Sequence, residues 1–161
     1  MFVWSFSIRK NAKYILVITL AAITVVFAAG RVKQLRSVPV AKSAYQGIAD
    51  NEARRGFLRG YGWETTAEEE ETVAVNVPKE FDSVWSEYAE LQRGQGFDIE
   101  SLKGVTLVRY TYGVINYDGE PEGTVKADLL MSGSTVVGGD ICSLRSDGFI
   151  HGLERPTDDI G

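Results

Sequence analysis

The stretch VKADLLMSGSTVVGGDICS, residues 125–143, decides the fold. Val125, Ala127, Leu129 and Met131 alternate with Lys126 and Asp128, the period of a strand with one buried side. Ser132, Gly133 and Ser134 make a tight reversal, and residues 135–143 return as an antiparallel partner.

Upstream, Val108, Tyr110, Tyr112 and Val114 share one face of a further strand over residues 105–115, where β-branched and aromatic side chains favour an extended backbone. Residues 116–123, rich in Asp, Gly and Pro, turn the chain into residue 125. Before that strand, Phe81, Val84, Trp85, Tyr88 and Leu91 fall at helical spacing while Ser83, Ser86, Glu87, Glu90 and Arg93 face away. The pattern predicts an amphipathic core helix over 81–95, ended by Gly94 and Gly96. Val73, Val75 and Val77 alternate with Ala74 and Asn76 as a half-buried strand closed by Pro78. A short helix starts near Asp50 or Asn51, turns Ala53, Phe57 and Leu58 inward and stops at Gly60. Trp63 then plugs the core. The acidic run Glu68, Glu69, Glu70 and Glu71 reads as a solvated loop. The expected fold is α+β: an antiparallel β-meander packed against one main amphipathic helix plus a short helix, with one sheet and one helical layer.

Residues 14–30 carry no charge and are mostly apolar, with Arg9, Lys10 and Lys13 before them and Arg31, Lys33 and Arg36 after. At about 1.5 Å per residue a helix there covers roughly 25 Å, which snorkelling basic residues extend towards the ~30 Å hydrocarbon slab. A cleaved secretory signal is the rival reading, but the uncharged core exceeds the roughly seven to fifteen residues usual for one. The division expected is therefore a cytoplasmic tail (1–13), a transmembrane anchor contacting lipid (14–30), a stalk (31–49), a soluble α+β domain (50–154) and a loose tail (155–161). Basic residues are equal in number on the two sides, so orientation rests on the short N-terminal tail, which places the soluble domain outside the cytoplasm.

The anchor region holds six of the seventeen Lys and Arg residues and none of the twenty-two Asp and Glu residues, so residues 37–161 carry a net charge of minus eleven. An acidic body of this kind offers no basic stripe for nucleic acid. The single cysteine, Cys142, cannot form an internal disulfide, so packing must stabilise the domain.

Four segments, EARRGFLRGYGW (52–63), VPKEFDSVWSEYAELQRGQGFDI (77–99), KGVTLVRYTYGVINY (103–117) and VVGGDICSLRSDGFIHGL (136–153), resemble the domain-of-unknown-function family numbered 4830. The resemblance implies a membrane-anchored protein of Gram-positive bacteria. It implies no activity and carries over no catalytic residue.

Candidate chemistry concentrates where the only Cys and only His lie, in Asp140, Cys142, Asp147 and His151. A metal site would draw on Cys142, His151, Asp140 and Asp147, although their spacing matches no zinc pattern. A Cys142 nucleophile with His151 as base is the other chemical reading. Gly138 and Gly139 read as a β-bulge or a close approach of the helix, and Asp147 with Gly148 as a turn. Arg109 sits on the face with Leu107 and Thr111, to pair with Asp128 across strands or to line a carboxylate-binding pocket. Two function classes follow. One is a non-catalytic module that binds a protein, peptide or cell-envelope component, with no cofactor and no metal. The other is a small hydrolase or metal-dependent enzyme built on Asp140, Cys142 and His151, which requires those three side chains to converge.

Overall fold

The computed structural model describes residues 45–156 and the backbone of Phe6–Ser7. Strands β2 (Glu71–Asn76), β3 (Thr106–Gly113), β4 (Val125–Ser132), β5 (Thr135–Ser143) and β6 (Phe149–His151) form an antiparallel sheet in the spatial order β6-β5-β4-β3-β2. The expected meander is present. Phe6–Ser7 (β1) lies outermost, antiparallel to β6.

Helix α1 (Asn51–Gly60) starts where the Asp50 carboxylate accepts the Ala53 amide at 2.8 Å. Helix α2 (Ser83–Gly94) starts likewise, with Asp82 accepting the Trp85 amide at 2.9 Å. It ends before Gly96, whose φ of 87° few other residues adopt. A 3-10 turn, Glu100–Leu102, leads into β3.

Both faces of the sheet are covered, not one. Tyr112, Val114, Val125, Ala127, Leu129, Met131, Val136 and Ile141 pack on one face with Leu58 of α1, Trp63, Phe97 and Leu153. Leu107, Leu130 and Val137 pack on the other with Val77, Ile99 and Leu102, beneath Trp85 and Tyr88 of α2. Alternation along β4 therefore does not separate core from solvent, because Asp128 and Leu130 are buried too. The α2 surface also differs from expectation. Val84, Trp85, Tyr88 and Leu91 are half-buried, while the deepest positions belong to Ala89 and Gln92. A small side chain and an amide meet the sheet there, and the large apolar groups flank them.

Gln92 is fully buried. Its Oε1 accepts the Gly139 amide and its Nε2 donates to the Gly139 carbonyl, both at 3.0 Å. Those backbone groups point to the side of β5 that β6 is too short to reach, so one side-chain amide takes the place of a missing strand residue. Gln95 adds a second donor to the Gly139 carbonyl at 3.0 Å, and its Oε1 accepts the Leu153 amide at 2.6 Å. The two glycines here combine both structural readings drawn from the sequence. The ladder shifts by one residue between Leu130 and Met131, leaving Val137 unpaired as a bulge. A Cβ on Gly139 would lie 2.9 Å from the Asp128 carbonyl oxygen, and one on Gly138 would lie 3.2 Å from Gln92 Oε1.

The acidic run is not a free loop. Glu68 accepts from the Asn51 amide group at 3.1 Å, Glu69 lies 3.5 Å from Arg54, and Glu70 and Glu71 lie 2.5 Å from Lys126 and Arg109. Four consecutive carboxylates thus tie the start of β2 to α1, β3 and β4. Trp63 is buried as expected, with its indole N–H donating to the Leu153 carbonyl at 2.6 Å.

The proposed span, residues 14–30, lies outside the described residues, as do residues 31–44 and most of 1–13. Among the described residues no helix is long and apolar enough to cross a membrane. At the end of the stretch read as a stalk, Ile48 enters the core and Tyr45 packs on Phe57 and Phe97. Arg155, at the start of the stretch read as a loose tail, sits 4.7 Å above the Trp63 ring.

Candidate functional site

The register aligns Glu71, Thr111, Asp128 and Asp140 in one row across β2, β3, β4 and β5, on the face that α2 covers. Asp128 and Asp140 are directly opposite each other, and both are buried. One ligand-capable atom from each of Asp128, Asp140 and Cys142 lies within 4.8 Å of the others. Tyr88 reaches down from α2 to donate its hydroxyl to Asp140 Oδ1 at 2.8 Å, and the Thr111 hydroxyl donates to Asp128 Oδ1. Arg109, one row along, is 6 % exposed. It binds Glu71 at 2.5 Å through Nη2, while its Nε lies 3.9 Å from Asp128 Oδ1, too far for a hydrogen bond. The cross-strand neighbour expected from the sequence is present, but the carboxylate that Arg109 grips belongs to Glu71.

Burial and the adjacent Asp128 push Asp140 up to about 8, against the opposing pull of the Tyr88 hydrogen bond and Arg109. Burial raises Asp128 as well, opposed by Arg109, Thr111 and Lys126. The Cys142 thiol is pushed well up by burial and then by both carboxylates. A thiol held this way is a poor nucleophile. Burial also works against the Arg109 cation, but Asp128, Glu71 and Asp140 outweigh it. Asp128, Asp140 and Cys142 are all biased towards their protonated forms, and a guanidinium already stands beside them. This chemistry suits the holding of a proton better than the holding of a metal ion.

His151 lies on the opposite face of the sheet. It pairs with Ile141, not with Cys142, and its ring is buried beside Phe149 and Trp63. Nδ1 lies 2.6 Å from the Gly152 carbonyl, so that nitrogen carries the proton. Nε2 then accepts the Tyr117 hydroxyl at 3.0 Å. Burial lowers its pKa, opposed by the bond to Gly152. Asp147 sits in an exposed turn, 3.1 Å from Arg145, and the Gly148 amide closes that turn onto the Arg145 carbonyl at 3.0 Å. The structure therefore brings together Arg109, Asp140 and Cys142, and brings neither His151 nor Asp147 to them. Asp128, Glu71 and Tyr88 complete the cluster. An Asp on the apolar-alternating strand at 128 was the one available sequence signal for it.

An antiparallel meander with helices on both faces, a buried acid cluster on one of them and His151 on the other defines the described residues as an α+β domain. The family described as Domain of unknown function (DUF4830) matches residues 57–141, and the chain belongs to it. Neither a curated protein nor a solved structure matches the chain.

Proposed function

We propose that this protein is a single-pass, membrane-tethered domain facing outside the cytoplasm that acts as a non-catalytic binding or interaction module. The observation that carries the reading is the sheet standing between His151 and the Asp140–Cys142 pair. It leaves the only thiol without the only imidazole. The uncharged run at residues 14–30 supports the tether, and the net charge of minus eleven beyond residue 36 supports an acidic body kept in solution beside the membrane. Ile115 and Leu144, 52 % and 58 % exposed, follow β3 and β5 at the same end of the sheet and offer apolar contact to a protein or peptide partner. Pairing of Phe6–Ser7 with β6 requires both on one side of the membrane, so the tether predicts that this pairing is absent in the membrane-inserted chain.

Fractionation of the full-length chain after cell breakage tests the tether: recovery of unprocessed protein entirely in the aqueous phase refutes it. Crosslinking in intact cells, with neighbours identified by mass spectrometry, tests the binding role. Cys142→Ala and His151→Ala are expected to leave any cellular phenotype intact. Loss of phenotype with an unchanged melting curve would favour an enzyme instead.

A further inference from the structure

We propose that Asp128 and Asp140 hold one proton between them and that its loss as pH rises lifts α2 from the sheet, a pH-responsive opening of the domain. The argument starts from the ladder. The two residues are partners in adjacent strands with side chains on the same buried face. Carboxylates placed this way, away from water, cannot both ionise without a compensating cation.

The groups facing the pair supply at most one, Arg109, and Glu71 shares it. From β2 comes Glu71, a further negative charge; from β3, Arg109; from β4, Lys126; from β5, the Cys142 thiol; and from α2, the Tyr88 hydroxyl. Lys126 Nζ is held by Glu70 at 2.5 Å. Arg109 is held by Glu71 at 2.5 Å and approaches Asp128 only to 3.9 Å. Each cation is thus shared with a carboxylate outside the pair, and Arg109 can balance only one charge within it. Each hydroxyl, Thr111 to Asp128 and Tyr88 to Asp140, supports one oxygen. A first negative charge is tolerated; a second must reach water.

Water can arrive most readily from the α2 side. The strands are locked by ladder hydrogen bonds, whereas α2 covers Asp140 through side chains, Tyr88 first among them. The sign follows from linkage. Asp140 is held above its ordinary value, so the closed form gains from the proton at low pH and loses that gain as pH rises through about 8.

The test is hydrogen exchange of the full chain between pH 7 and 9, with rates normalised to unprotected peptide at each pH. Protection of residues 83–94 is expected to fall by up to about tenfold per pH unit, while residues 125–132 in β4 keep theirs. Asp140→Asn, which mimics the neutral acid, is expected to flatten the α2 profile; Cys142→Ala is expected to keep it, because the thiol titrates higher. If Asp140→Asn does not fold, Asp128→Asn serves in its place. Parallel loss of protection in α2 and β4, or an unchanged slope in the Asn variant, overturns the proposal. So does abolition of the slope by EDTA, which would make the cluster a metal site.

Discussion

Replacing Gln92 by Leu isolates the most unusual contact in the molecule. The two side chains are of similar size, so the change chiefly removes the hydrogen bonds to Gly139. The Gly139 amide then loses its partner in a buried setting, whereas its carbonyl keeps Gln95 Nε2 at 3.0 Å. An unpaired buried backbone group costs about 1–3 kcal/mol, and the weakened carbonyl adds a fraction of that, so the expected loss is about 2–3 kcal/mol. For a domain of this size that corresponds to roughly 8–12 °C in Tm. Urea titration of the full chain in mild detergent, followed by tryptophan fluorescence, measures it. Glu90→Ala on the exposed side of the same helix is the control, expected within about 0.5 kcal/mol of the parent. Gln92→Glu sharpens the test. It can still accept the Gly139 amide, but its second oxygen faces the Gly139 carbonyl, so it should be worse than Leu at neutral pH and recover on acidification. A Leu variant within 0.5 kcal/mol of the parent, or a Glu variant insensitive to pH, would refute the strand-substitute role.

Gly139→Ala drives a Cβ to 2.9 Å from the Asp128 carbonyl oxygen, and a cost of about 1–3 kcal/mol is expected in the same titration. Asp50→Ala removes the carboxylate that caps α1 and should cost about 1 kcal/mol, with the loss visible as faster amide exchange in the first turn. Burial favours neutral His151, so its contribution is present above about pH 6.5 and is lost as pH falls, by up to about 1.4 kcal/mol per pH unit. His151→Phe should remove that acid-side term. The stability difference between parent and variant from pH 7 to 5 reads it, since the Asp140 contribution is common to both.

Much of the architecture can be read from local pattern. The Asp50 cap, the β4–β5 hairpin at Ser132–Ser134, the core position of Trp63 and the face shared by Leu107, Arg109 and Thr111 all follow from spacing within a few residues. The exceptions share a cause. The inward role of Gln92 depends on how far β6 extends, which no property of the helix announces, and the apolar stripe through Trp85 and Tyr88 marks only one edge of the buried face of α2. The glutamates at 68–71 look solvated until their separate partners Asn51, Arg54, Lys126 and Arg109 are assembled from three elements. His151 and Cys142 are close in sequence, but pairing of His151 with Ile141 fixes them on opposite faces, and that depends on the geometry of the intervening turn.

Val137 occupies no paired position, and the identity of the polar cluster depends on it. Thr135 faces Ser132 and Val136 faces Met131; continued at that count, Asp128 would face Gly139. The unpaired residue advances the count by one, so that Asp140 meets Asp128 and Cys142 follows onto the same side. Pairing Val137 with Leu130 would act like a frameshift in three dimensions: every later side chain of β5 would change face, both acids would part company, and Asp140 would be carried opposite Ala127 into the oily side beneath Leu58 and Leu153.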